Sequence, residues 1–147
     1  MCEKIPLTII DIEGKGCHIL LEASLNGEPL NLVVDTGAST SVFDYSILLK
    51  FAIKNKAIDS EILSTAVGSN ELETKIVKIK ELSFGNLKIM KYNAVLMDLS
   101  HINTTHSSAW LPHIDGVLGG DILLRYQAKI DYKTELLSLR KNIKKKK

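Results

Sequence analysis

An apolar, β-branched run that ends in a carboxylate sets the tightest limit on how this chain folds. Leu30 to Val34 reads as a strand, and it leads directly into Asp35-Thr36-Gly37-Ala38-Ser39, an aspartate followed by small residues. A carboxylate at the end of a buried strand is costly unless it is hydrogen-bonded or put to chemical use. Asp is also a good turn residue, able to accept backbone N–H groups two residues on. From residue types alone, the structural reading competes well with a functional one.

The surroundings of this stretch are strand-like throughout. Leu7 to Ile12, His18 to Leu25, Glu61 to Ala66, Leu72 to Phe84, Leu87 to Met97 and a closing hairpin over Ala128 to Leu139 are separated by turn signals. Among those signals, Asn26-Gly27 is a strong hairpin dipeptide. Ile76 and Ile79 break the alternation in their run, which predicts a bulge or kink there. Phe43 to Ile53 carries apolar residues at helical spacing, so a short helix is expected. Asp121 to Tyr126 reads as one or two helical turns, and Ser100 to Pro112 as a long polar loop. Aromatic residues are only 5% of the chain, so the core has to be Leu, Ile and Val. The expectation is a mostly β, closed barrel-like domain with one or two short helices, spanning residues 1–140.

A weak internal echo supports this order. "LNGEPLNLVVDTGAS" runs strand, glycine turn, strand, small-residue turn. "LSFGNLKIMKYNAVLMD", continued by "IDGVLGGD", repeats it with a long insertion.

Charge excludes some functions. The formal net charge is +2, but six of the 19 basic residues are Arg140, Lys141 and Lys144 to Lys147. The remaining 13 basic residues face 17 acidic ones, a balance of −4. A nucleic-acid binder carries its basic surface on the folded body, so no nucleic-acid partner is expected. Residues 141–147 read as a Lys-rich, disordered tail. No run approaches the ~18 consecutive apolar residues of a membrane span, and the acids and Pro6 of "MCEKIPLTIIDIEGKG" interrupt any signal-like apolar core. The chain reads as cytoplasmic, with no membrane partner. Cys2 and Cys17 make no disulfide framework. His101, His106 and His113 match no common zinc spacing and read as solvent-facing loop residues, so neither metal nor cofactor is expected.

About 80 residues after the aspartate, a second element appears, Val117-Leu118-Gly119. Val33 to Ser39 resembles the active-site signature of aspartic proteases. Gly116 to Leu123, "GVLGGDIL", is similar to the late apolar-apolar-Gly segment and short helix of that fold. Tyr126 to Leu139 resembles its closing strand pair. With one Asp-Thr-Gly in 147 residues, the chain resembles the retropepsins, the single-lobed dimeric branch.

That resemblance implies an aspartic endopeptidase in which Asp35 of two subunits meet at a two-fold axis. Thr36 would bond across the axis, Gly37 admit backbone amides, and Ala38 and Ser39 keep the turn tight. Val117 and Leu118 would wall the catalytic loop from beneath, with Gly119 passing close behind. A flap is implied over Ser64 to Thr74, with Val67, Gly68 and Ser69 at its tip. In the best-known members the chain termini interleave across the dimer, a role for Ile5 to Ile12 and Leu136 to Leu139. The substrate would be an extended polypeptide with apolar side chains flanking the cleaved bond. Ala38 has no hydroxyl to stabilise the ionised pair, which implies activity at higher pH than in acid proteases. Asp121 reads as a helix cap rather than a catalytic partner, and so does not compete with Asp35. The alternative is a non-catalytic peptide-binding or dimerisation module in which Asp35 survives as a turn residue.

Overall fold

The computed structural model describes residues 2–53, 74–108 and 111–141. Ten strands and three helices lie within them. The strands are β1 (Cys2–Pro6), β2 (Thr8–Asp11), β3 (Cys17–Leu25), β4 (Glu28–Val34), β5 (Val42–Asp44), β6 (Lys75–Phe84), β7 (Leu87–Met97), β8 (Gly116–Leu118), β9 (Lys129–Asp131) and β10 (Leu136–Arg140). The helices are α1 (Ser46–Ile53), α2 (Ser100–Ser108) and α3 (Gly120–Arg125).

Hairpins build the frame. Asn26 and Gly27 join β3 to β4 with φ of 49° and 82°, both left-handed. That is the backbone that Asn-Gly favours and that matches the twist of the flanking strands. The sheet order is β2-β3-β4-β8-β5-β7-β6, and a further pairing of Ser24 and Leu25 with Ser83 and Leu82 closes six strands into a mixed β-barrel. At this closure Asn26 binds Glu81 twice: its N–H donates to the Glu81 carbonyl at 2.8 Å, and its Oδ1 accepts the Glu81 N–H at 3.1 Å.

The break in alternation along β6 has a visible counterpart. Val77 and Ile79 point inward, then Leu82 and Phe84, a change of phase between the two pairs. The β6–β7 register stays constant, so no residue is inserted; instead Lys91 on the facing strand takes φ of 52°. The kink is therefore a local twist at the barrel corner and not a bulge. The core is aliphatic, with Leu25, Leu30, Leu32, Leu82 and Leu96 fully buried beside Phe43 and Phe84.

The internal echo is a structural crossing. Strand β4 pairs in parallel with β8, and β7 pairs in parallel with β5. The second strand of each hairpin thus lies against the strand that follows the other hairpin's loop.

Two segments differ from expectation. Phe43 and Asp44 are in β5 and not in the helix, which starts at Ser46. Asp44 uses its carboxylate there, accepting the Leu99 N–H at 2.8 Å and the Ser46 hydroxyl. The polar stretch Ser100 to Ser108 is helix α2, not loop. The hydroxyls of Thr104, Thr105 and Ser108 donate to carbonyls four residues back, and Asp98 accepts the Ser100 N–H at 2.8 Å. Side chains that usually compete with helical hydrogen bonds are here turned onto the helix itself.

Strand β1 pairs with β10 of its own chain, Cys2 opposite Arg140, and β9 completes a three-stranded sheet. The terminal pairing expected between two subunits is thus formed within one. Lys141, placed at the start of the expected tail, sits 3.2 Å from the Glu3 carboxylate. Residues 142–147 lie outside the described residues.

Candidate active site

Strand β8 lies between β4 and β5, in parallel register with Leu32 to Val34 and antiparallel to Val42 and Phe43. It is the brace between the strand that enters the Asp35 loop and the strand that leaves it. The Asp35 N–H donates to the Leu118 carbonyl at 3.0 Å, and Ala38 N–H closes the turn on the Asp35 carbonyl at 3.1 Å. Val117 and Leu118 are buried under this loop. A Cβ on Gly119 would stand 2.8 Å from the Ala38 carbonyl and 2.9 Å from the Thr40 carbonyl carbon. Both are backbone atoms that cannot swing aside, so the glycine is what permits the close approach.

A second set of bonds ties the loop to α3. Gly120 N–H donates to the Ala38 carbonyl at 2.7 Å and Asp121 N–H to the Ser39 carbonyl at 3.1 Å. Buried Ser41 is the hub: its hydroxyl donates to Asp121 Oδ1 at 2.7 Å and accepts the Gly119 N–H at 2.8 Å. The Ser41 N–H also donates to Asp121 Oδ1, at 3.0 Å. The N-cap residue of α3 is Gly119, without a side-chain cap. Asp121 is therefore a clamp on the loop, bound to Ser41 and to its neighbour Ile122, more than a helix cap. Ser41 carries no motif, and its partners lie 78 and 80 residues away in sequence; only the fold reveals it.

The Asp35 side chain itself is exposed. The Gly37 N–H donates to its Oδ1 at 2.9 Å. A Cβ on Gly37 would lie 3.2 Å from that oxygen, so the residue leaves room for the contact. Asp35 and Thr36 open onto a cavity of about 460 Å³. Its apolar walls are Ile19, Val33, Val34, Ile102, Val117 and Ile130, and Cys17, His18, His106 and Tyr132 add polar surface.

Asp115 is buried and accepts the Asn31 N–H at 2.9 Å, with His113 3.6 Å away. His106 does not face solvent as expected. It is 6% exposed, donates from Nδ1 to the Pro112 carbonyl at 3.2 Å, and stacks on His18. The polar helix α2 carries it inward, which no periodicity announced. Among the described residues no cluster of three or more His, Cys, Asp and Glu is arranged to hold a metal ion. Val67, Gly68 and Ser69, with the flap expected around them, lie outside the described residues, as does Glu61 to Ala66.

The family model for aspartyl proteases matches residues 21–122, from β3 through the first turn of α3. The chain belongs to the aspartyl protease family. As an aspartyl protease-family chain it carries the family's match across both halves of the crossed-strand brace. No curated protein matches it. The crystal structure of a retropepsin-like aspartic protease from Rickettsia conorii is similar at a TM-score of 0.56 and 16% identity, over 95% of this chain and 90% of that one. The retroviral protease-like domain of Ddi1 from Leishmania major is similar at 0.50 and 19%, over 84% and 88%. At such identities the likeness is one of fold: this aspartyl protease-family domain is a retropepsin-like barrel.

Proposed function

We propose that the protein is an aspartic endopeptidase that acts as a homodimer, with Asp35 of each subunit supplying half of the catalytic pair. The observation that carries this reading is the exposed Asp35 carboxylate, rigidly presented on a braced loop at the mouth of a cavity. Such bracing of an exposed carboxylate goes beyond what a turn residue requires, and the family supplies the chemistry for which it is suited.

Two carboxylates a few ångströms apart cannot both ionise easily, so they hold one proton between them. The ionised member takes a proton from water as the water oxygen attacks the peptide carbonyl carbon. The protonated member donates to the carbonyl oxygen, giving a neutral gem-diol. Collapse of that intermediate breaks the C–N bond as a proton passes to the leaving amine, and the pair is restored to its starting charge. One subunit holds one Asp-Thr-Gly, so the reaction requires two. The substrate is an extended polypeptide lying across both subunits.

Asp35→Asn should lower peptide hydrolysis by at least about 10³-fold while leaving the β-sheet circular dichroism unchanged. Mixing equal amounts of wild type and this variant, with subunit exchange complete, should reduce activity per wild-type chain to about half, because half of those chains sit in mixed dimers. Full activity retained by Asp35→Asn would refute the peptidase reading in favour of a binding module. Undiminished specific activity of wild-type chains in the mixture would refute the shared pair.

A further inference from the structure

Strand β9 is an open edge. Lys129, Ile130 and Asp131 pair with Ser138, Leu137 and Leu136 of β10, and on their other side they meet no strand among the described residues. An unpaired strand edge presents a row of N–H and C=O groups, a template for another chain. This edge borders the candidate site, because Ile130 and Tyr132 line the same cavity as Asp35 and Thr36. Leu124 and Tyr132, 82% and 60% exposed, flank the strand in sequence and leave apolar surface uncovered around it. The opposite edge of the same sheet is β1, and none of the residues lining the cavity comes from it. Its Glu3 carboxylate is instead held by the Asn86 N–H in the turn between β6 and β7.

We infer that two copies of this chain join edge to edge along β9, giving one sheet of six strands, three from each copy, in the order β1-β10-β9-β9-β10-β1. The inference rests on the reading of Asp35 as half of a shared pair, and it supplies the interface which that reading requires. The two-fold axis passes between the β9 strands, beside the two Asp35 loops.

The residues of β9 fix the register. A two-fold axis perpendicular to the sheet sets identical strands antiparallel, and residues directly opposite each other share a face. Because faces alternate along a strand, the pairing has to be centred on one residue that meets its own copy. Centring on Lys129 or on Asp131 places like charges directly opposite, which is destabilising. Centring on Ile130 places each Lys129 against Asp131 of the partner subunit. Both charged residues are exposed and Ile130 is half-buried, so the strand is complementary to itself in charge.

Sedimentation velocity on the full chain and its charge variants tests the pairing. Lys129→Asp leaves only acids at the two positions and Asp131→Lys only bases, so each variant should weaken its own dimer by about tenfold. Mixed in equal amounts, the two should form a heterodimer of about wild-type affinity, since every acid then faces a base. Such rescue also separates lost pairing from misfolding, a necessary check because Asp131 accepts the N–H groups of Lys133 and Thr134 in its own turn. A second measurement uses Ile130→Cys in a chain whose exposed Cys2 and Cys17 are replaced by Ser. Opposed residues of paired strands have Cα atoms about 4.5–5.5 Å apart, within disulfide range, so oxidised glutathione should link the two subunits. An active dimer that ignores both charge reversals, a mixture no tighter than its components, no cross-link through Ile130→Cys, or a chain that stays monomeric at every concentration would overturn the pairing. Dimers that respond as described but cleave no peptide would overturn the peptidase reading and leave the interface standing.

Discussion

Ala38, Ser41 and Gly119 show how much of this site is decided atom by atom. The methyl group of Ala38 offers no donor to the Asp35 carboxylate, and a hydroxyl there would favour its ionised form. Ala38→Ser should therefore move the bell-shaped kcat/KM profile toward acid, by up to about one pH unit for a bond to a charged group. An unmoved or alkaline-shifted profile would show that the hydroxyl does not reach the pair. Ser41→Ala strips Gly119 N–H of its acceptor and Asp121 of a donor inside the protein, an expected loss of about 1–3 kcal/mol in urea unfolding. Gly119→Ala drives a Cβ into the backbone of residues 38 and 40 and should cost a similar ~1–3 kcal/mol, together with most of the activity. The sequence announces Asp35 and Gly37 through their spacing, because the chemistry is local. Ser41 is silent there, because a buried serine looks like any other until its distant partners are in place.

Among the elements, the hairpins and the closing strand pair were legible because alternation and Asn-Gly chemistry are short-range. Helix α2 was not. Its residues have poor helical propensity and no apolar stripe, and it is held by back-bonded hydroxyls and by one asparagine. Asn103 accepts the Ile114 N–H at 2.7 Å and donates to the Ile114 carbonyl at 2.9 Å, which fastens α2 to the segment leading into β8. Asn103→Ala leaves both groups of a buried residue unpaired, and the expected destabilisation is about 2 kcal/mol by urea titration. Since α2 also carries Ile102 and His106 into the cavity, peptide affinity should fall with it. Phe43 was misassigned to a helix for the opposite reason: its spacing to Ile47 is helical, but pairing with β8 and β7 claims it for a strand.

At the scale of the whole molecule, three carboxylates among the described residues are held below their usual range by the turns and ends they fasten. The Asn86 N–H and then Lys141 hold Glu3 below the usual carboxylate range, Ser100 N–H does so for Asp98, and the N–H groups of Thr134 and Lys133 for Asp131. A depressed folded value means that each contributes stability that is complete above the unfolded value, near pH ~4, and is lost as pH falls through the folded one. The protein should lose stability progressively below about pH 4, and Asp98→Asn should flatten that limb while lowering the plateau above it. Thermal melts at stepped pH read both effects. An acid limb of unchanged steepness in the variant would remove Asp98 from the account.

The brace around Asp35 also imposes a schedule on synthesis. A ribosome delivers the Asp35 turn early and its supports late, since Asp121 follows Ser41 by 80 residues and Leu118 must arrive before the Asp35 N–H has its acceptor. Contacts so distant along the chain form only after the intervening segment has been made and its closure entropy paid. A nascent chain therefore carries Asp35 without the loop that presents it until residues 118 to 121 have been made.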